Sequence, residues 1–336
     1  MKAINLAIGL VLATVAVPSL AGQEVNVYSY RQPRLIEPML DGFTEGTGIK
    51  VNVLYAKKGM LERLKSEGVN TPADLIFTVD IGRLSDVKSA GLTQAVNSDT
   101  LDANIPDSQR DDEGHWYGLT QRARIIVTSK DRVNVDDIQS YEDLASDKMQ
   151  GRVCTRSGKH AYMVGLTAMM ISYHGEPEAE QWATDLKANL ARKPQGNDRA
   201  QVKAIKEGEC DVAVINHYYM FNMLNDPKQV PWAESVNVIF PNQADRGTHM
   251  NISGMAMSKY AKNSENALKL MEYLASGKAQ QMYSEINGEY PVQEGVEWSE
   301  QLKMWGDFKR DNLDLTDIAA HRGAAIKLMD RVGYDN

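Results

Sequence analysis

The sequence predicts an α/β protein of two lobes, with mixed but mainly parallel sheets and a chain that crosses between the lobes as strands. Three observations carry this expectation. Strand-like apolar runs alternate with amphipathic helical segments, the pattern of sheets covered by helices on both faces. The 336-residue chain is longer than one hydrophobic core usually holds. No internal repeat, low-complexity stretch or long flexible linker separates its halves.

The elements follow in order. "MKAINLAIGLVLATVAVPSLAGQ" has one positive charge, Lys2, then an uncharged apolar stretch that ends in small residues at Ser19 and Ala21. This is the pattern of a secretory leader cleaved after Ala21. Its apolar part is short for a membrane span. "EVNVYSY" then reads as a strand, and "RLIEPMLDGFTEGTG" as a helix with Leu35, Ile36, Met39, Leu40 and Phe43 on one face. "KVNVLYA" and "ADLIFTVD" read as strands; "KGMLERLKSEG" and "IGRLSDVKSAG" read as helices closed by Gly68 and Gly91. A second series begins after "GHWYGLTQRARIIVTSK". In it "GRVCTRSG", "CDVAVIN" and "NISGMAMSKYA" are strand-like. "HAYMVGLTAMMISYHG", "EAEQWATDLKANLA", "NDRAQVKAIKEGE" and "HYYMFNMLND" are helical, the third capped by Asn197 or Asp198. From Ser264 onward the tail is mostly helical.

The formal net charge is −8, and loss of the leader with its lysine makes it more negative. That argues against nucleic acid and anionic lipid as partners, though not against an anionic ligand in a local pocket. No stretch beyond the leader is long and apolar enough for stable membrane insertion. The two cysteines, Cys154 and Cys210, border strand-like runs. In an oxidising compartment an even pair invites a disulfide, and neighbouring strands would bring the two together. Two buried free thiols are the alternative.

In open α/β sheets, ligands bind beyond the carboxyl ends of strands, where helices begin. Three tyrosines sit at such corners: Tyr162 after "VCTRSG", and the adjacent pair Tyr218 and Tyr219 after "DVAVIN". Tyr30, Arg31 and Gln32 follow the first strand. A phenol is neutral at pH 7, but helix N-termini favour an anion and a trivalent metal favours it far more. Phenolate oxygen is a hard donor suited to Fe(III). Packed rings with hydrogen-bonded hydroxyls would use the same residues more blandly, and the pair alone points to packing. Fourteen tyrosines against five phenylalanines is a mild hint only. Arg122 and Arg124 alternate with apolar residues, so both can face one side and hold a carboxylate or carbonate bidentately, or simply form ion pairs. His115, His160, His174, His217 and His249 show no two-histidine metal spacing, and no phosphate loop, nucleophile elbow or catalytic triad pattern is present.

Longer strings carry a resemblance. "VYSYRQPRLIEPML", "TGIKVNVLYAKKG", "PADLIFTVDIGRL", "GLTQRARI", "RSGKHAY", "LKANLARKPQGNDRAQVKAIKEGECD", "NHYY" and "NGEYPV" resemble the ferric-ion-binding periplasmic proteins of ABC iron importers, through essentially the whole chain past the leader. The resemblance implies the Venus-flytrap solute-binding fold. It implies a first lobe of 22–121 plus about 247–297, and a second of 122–246 plus about 298–336. It further implies Fe(III) as the transported ligand, Tyr162, Tyr218 and Tyr219 as its ligands, and carbonate or a similar synergistic anion held at Arg122, with Arg31 and Gln32 beside it. The implied setting is the periplasm, with the protein a monomer and an inner-membrane ABC permease its partner. Two departures stand out. Gln32 and Pro33 occupy places where some relatives carry a His-Tyr pair of extra ligands, and Met163 follows Tyr162 where relatives often have Asn. Two other functions fit parts of the pattern: an ABC-importer receptor for a small organic anion held by Arg31, Arg122 and the helix ends, and an exported enzyme with a Tyr or His acid.

Overall fold

The computed structural model describes residues 23–336 except Lys57. The leader assigned to residues 1–21 lies outside the described residues. Among the described residues nine strands run in chain order: β1 (Glu24–Ser29), β2 (Lys50–Tyr55), β3 (Leu75–Thr78), β4 (Tyr117–Ser129), β5 (Val153–Cys154), β6 (Val212–Asn216), β7 (Val236–Ile239), β8 (Met250–Met257) and β9 (Tyr290–Pro291). The helices are α1 (Glu37–Thr47), α2 (Met60–Glu67), α3 (Ile81–Ser89), α4 (Asp99–Asn104), α5 (Ala161–His174), α6 (Glu176–Ala188), α7 (Asp198–Glu207), α8 (Tyr218–Leu224), α9 (Val230–Ala233), α10 (Ser264–Ala275), α11 (Gly277–Met282), α12 (Glu300–Lys303) and α13 (Leu315–Arg331).

The strand order is β2-β1-β3-β8-β4-β6-β5, with β7 and β9 also pairing to β4. The 13-residue β4 is buried along its whole length and serves two sheets. Up to Ala123 it pairs with β8, and from Arg124 it pairs with β6. The chain therefore changes partner between two consecutive residues, with an arginine on either side of Ala123. This is the kind of switch point at which α/β sheets bind ligands.

Three pairings are parallel and five antiparallel among the described residues. The expectation of mainly parallel sheets is corrected here. Alternation of strand and helix accounts for β1, β2, β3, β5 and β6, but the strands that link the sheets run against their neighbours. Boundaries also differ. A 3-10 turn at Pro33–Leu35 precedes α1, which starts late because Pro38 has no N–H to place deeper in a helix. The strand expected over 151–158 is only Val153–Cys154, since Asn189 and Asp211 take up the backbone of Arg152 and Val153 around it. β7 and β9 were not foreseen; each is too short to show a period.

One apolar core, with Val27, Phe43, Leu75 and Leu270, lies on the β1–β3 sheet and includes α1 and α10. Another gathers α5, α6 and α13 around Met163, Trp182 and Leu328. A third lies on the opposite face of β4 and β6, with Val202, Ile215 and Met220. Cys154 and Cys210 form a disulfide there, with Cα atoms 5.9 Å apart. It ties the end of β5 to Cys210, two residues before β6, next to the parallel pair Cys154–Ala213. Among the described residues no helix is long and apolar enough to cross a membrane.

Candidate functional site: three phenols at two helix ends

The cleft is built where β5 and β6 deliver their chains into helices. His160 occupies the cap position of α5 and accepts from the Tyr162 N–H at 3.2 Å through Nδ1. This holds Tyr162 in the helix's first turn with its ring edge-on to the imidazole, 4.5 Å between centroids. β6 ends at Asn216, and α8 begins at Tyr218. Tyr218 and Tyr219 thus share a first turn, which lets adjacent side chains bend over one helix end. Their rings stack at 4.5 Å. The Tyr218 hydroxyl lies 3.0 Å from that of Tyr162. Residues 56 apart in sequence therefore meet oxygen to oxygen.

Tyr162, Tyr218, Tyr219, Arg122, Arg31 and Gln32 line one cavity of about 260 Å³; Arg124 and Tyr30, also singled out from the sequence, do not. The structure brings the lining residues together, but it gives them unequal surroundings. Arg122 is buried and donates to the Ile252 carbonyl at 2.6 Å, while its Nε has no partner among the described residues. Arg31 is also buried, but is already bound to Glu289 at 2.5 Å and to Ser253. Gln32 is exposed at the rim.

Arg124 faces the same side as Arg122, as alternation requires: both guanidinium groups lie over the Tyr162 ring, 5.7 and 5.6 Å from its centroid. Arg124 is committed, however. It binds Asp198 at 2.9 Å, and the same fully buried carboxylate takes Arg156 at 3.0 Å and the Asn216 N–H at 2.8 Å. Asp198 is the first residue of α7, behind its cap Asn197. It therefore fixes the end of β6 against α7, and its single carboxylate is shared by two of the arginines beside the phenols, Arg124 and Arg156.

Burial, then the nearness of the Tyr162 and Tyr219 phenols, raises Tyr218 well above its usual value. Burial, then the Tyr162 phenol and the Asp198 carboxylate, push Tyr219 to about 12, although its contact with Tyr218 works the other way. Both are neutral phenols at pH 7 unless a cation is present, and packing several neutral hydroxyls together gains little. A cation would invert this logic, because each phenolate it stabilises removes the repulsion that raises the others. Among the described residues no group of three or more His, Cys, Asp or Glu side chains could hold a metal.

Several lining residues were not foreseen. Arg156, Arg199, Asn197, His160, Arg34 and Glu289 all border the cavity. Arg199 lies over the Tyr219 ring at 5.3 Å. Arg34 reaches across to α8, donating to Asn222 at 3.0 Å. Arg156 and His160 sit in "TRSGKH", directly before Tyr162, where nearness to a strand–helix corner is a readable signal. Glu289 follows a turn far along the tail, and no local pattern marks it.

Residues 70–310 match the sequence profile of bacterial extracellular solute-binding proteins. The chain belongs to this family. The solute-binding protein is 41% identical to iron uptake protein A1 of Synechocystis sp., over 93% of its own length and 88% of the relative's. It superposes on the apo ferric ion-binding protein A of Pasteurella haemolytica with a TM-score of 0.90 and 51% identity, covering 94% of this chain and 99% of that one. A Trichodesmium protein solved with iron and citrate gives a TM-score of 0.88 and 42% identity, covering 93% and 99%. The two-lobe fold of these proteins is the fold of this solute-binding protein.

Proposed function

We propose that this solute-binding protein captures Fe(III) as cargo through the phenolates of Tyr162, Tyr218 and Tyr219, with carbonate or a similar anion at Arg122. It delivers the iron to an ABC permease in the inner membrane. The observation that carries the reading is the meeting of three phenols from two helix ends beside an arginine with no carboxylate partner among the described residues. Three phenolates balance the charge of the metal, so an added anion needs a cation of its own. Arg122 is placed to supply it, with the α5 and α8 N-termini adding partial positive charge. We place the protein in the periplasm as a monomer, released from a leader at residues 1–21. We divide it into a lobe of 22–121 plus about 247–297 and a lobe of 122–246 plus about 298–336. The core around β1–β3 lies wholly within the first lobe and supports this division, whereas the core around α5, α6 and α13 also takes in Ile81, Leu84, Trp116, Ile252 and Ala256.

An organic-anion receptor would use the arginines, but it leaves the phenol cluster without a purpose. An exported enzyme would need an acid–base pair. The cleft histidine, His160, is driven to about 3 by burial and by Arg156, and so is no proton donor at neutral pH. The test is metal analysis and a visible spectrum of the purified protein. Iron in a one-to-one ratio with a broad phenolate-to-iron absorption is the expected result. A colourless protein that retains an organic anion instead would replace the reading.

A further inference from the structure

α8 starts without a side-chain cap among the described residues. The residue in the capping place, His217, has helical dihedrals, φ −55° and ψ −38°, and its side chain makes no bond to the helix. It turns back to β4 instead. The His217 N–H donates to the Ala123 carbonyl at 3.1 Å, and the Ala123 N–H donates to His217 Nδ1 at 3.0 Å. The β4–β6 ladder ends one step earlier, at Arg124 opposite Asn216. The imidazole thus supplies the acceptor for the next rung, after the strand has already become helix. The ring is fully buried and stacks on Tyr290 of β9 at 4.4 Å and 20°. Tyr290 in turn pairs with Gln121 of β4. His217 is not among the residues lining the cleft.

We infer that His217 is a positioning residue that sets the phenols of Tyr218 and Tyr219 against Arg122 by holding Ala123 in both directions. The clamp grips the residue next to Arg122 on one side and is itself next to Tyr218 on the other. A shift of one relative to the other would separate the phenolates from the anion-holding guanidinium. Side chains that orient metal ligands in this way are typically worth about 10- to 100-fold in metal affinity. This inference rests on the iron-binding reading above.

Two substitutions separate positioning from core packing. His217→Phe keeps a ring to stack on Tyr290 but leaves the Ala123 N–H buried without an acceptor. His217→Asn places an amide oxygen near the Nδ1 position and gives up the stack. Iron is added to each, and the phenolate-to-iron band and the loss of iron to a competing chelator are followed below each variant's melting temperature. Positioning predicts that His217→Phe shifts the band and loses about 10- to 100-fold in affinity, while His217→Asn keeps a band close to wild type even if it melts lower. The reverse order, Phe like wild type and Asn impaired, overturns the inference and makes His217 a packing residue. Should His217→Phe fail to fold, the Asn variant decides alone: a wild-type band supports the clamp and a shifted band sinks it. A wild-type protein without an iron band would bring down the iron reading itself, a failure distinct from an unchanged His217→Phe.

Discussion

The corner after β1 and the corners after β5 and β6 hold equivalent places at the carboxyl ends of strands, yet they face the cleft in opposite conditions. After β5 and β6 the chain presents three phenols, with hydroxyls 3.0 Å apart where Tyr162 meets Tyr218, beside Arg122 of β4, which is buried without a carboxylate partner among the described residues. After β1 it presents Arg31, whose charge Glu289 already balances, and the exposed Gln32 and Arg34. One wall holds groups whose needs are unmet; the other holds groups that are satisfied or solvated. The lesson is that proximity to a cavity does not make a ligand. Leftover valence does. On this reading the wall after β5 and β6 binds, and the wall after β1 covers.

The comparison breaks most visibly at the phenols. Tyr162→Phe or Tyr218→Phe keeps the ring and removes one donor oxygen, and each should lower iron affinity by more than about 100-fold, or about 2.7 kcal/mol. Competition with a chelator measures this, and the melting of the metal-free protein should change by far less. Loss of fold with iron binding intact would make these tyrosines core residues, and the distinction between the walls would vanish.

Acid is the next lever. Tyr218 and Tyr219 are neutral in the metal-free protein, because burial and the nearby Tyr162 phenol raise both. Iron must therefore displace their protons, so affinity should fall about tenfold per pH unit for each proton released. The metal-free fold should weaken over a different range. His217 and His249 are held neutral, with values near 3, mainly by burial. Their folded values lie below the unfolded one, so the unfolded chain takes up protons first as pH drops below about 6.5. Stability is then lost progressively from there down toward 3. Iron release and melting, each followed between pH 7.5 and pH 5 as working limits of roughly that span, should give separate profiles. A single shared profile would mean that release is merely unfolding.

Much of this arrangement was legible in the sequence, because strand–helix corners are local features. "CDVAVIN" followed by "HYY" announces a buried strand and a helix start, and "RARI" announces two arginines on one face. The disulfide, too, follows from two cysteines beside strand-like runs. Pairings between distant segments were not legible. Nothing near Arg124 says that Asp198 will absorb its charge and leave Arg122 the free partner, and nothing near Arg31 points to Glu289, 258 residues away. The antiparallel share of the sheets was hidden for the same reason, since β4 and β8 pair residues as far apart as Arg122 and Asn251.

Arg122→Ala sharpens the comparison on the binding wall itself. It removes the one cleft arginine that is buried and has no carboxylate partner among the described residues. We expect about a tenfold loss of affinity and faster release to citrate, with the absorption shifted rather than abolished. Added bicarbonate should slow release from wild type and not from the variant. Equal rates with and without bicarbonate in both proteins would remove the anion from the account.

The smallest effects should come from the covering wall. Gln32→Ala takes away an exposed amide that no side chain in the cleft engages among the described residues. Arg34→Ala removes a bond to Asn222 that reaches α8, but the contact is open to solvent, and water competes well for such contacts. Each variant should bind iron within about threefold of wild type, below 1 kcal/mol. Arg34→Ala should show the larger change of the two, and in the release rate more than in affinity, because its bond crosses the mouth of the cleft. Two outcomes would overturn the assignment of roles. If Gln32→Ala matched a tyrosine variant in its loss, the wall after β1 would carry a metal ligand. If Arg34→Ala matched Arg122→Ala in its response to bicarbonate, the anion would sit at the cleft mouth and not beside β4.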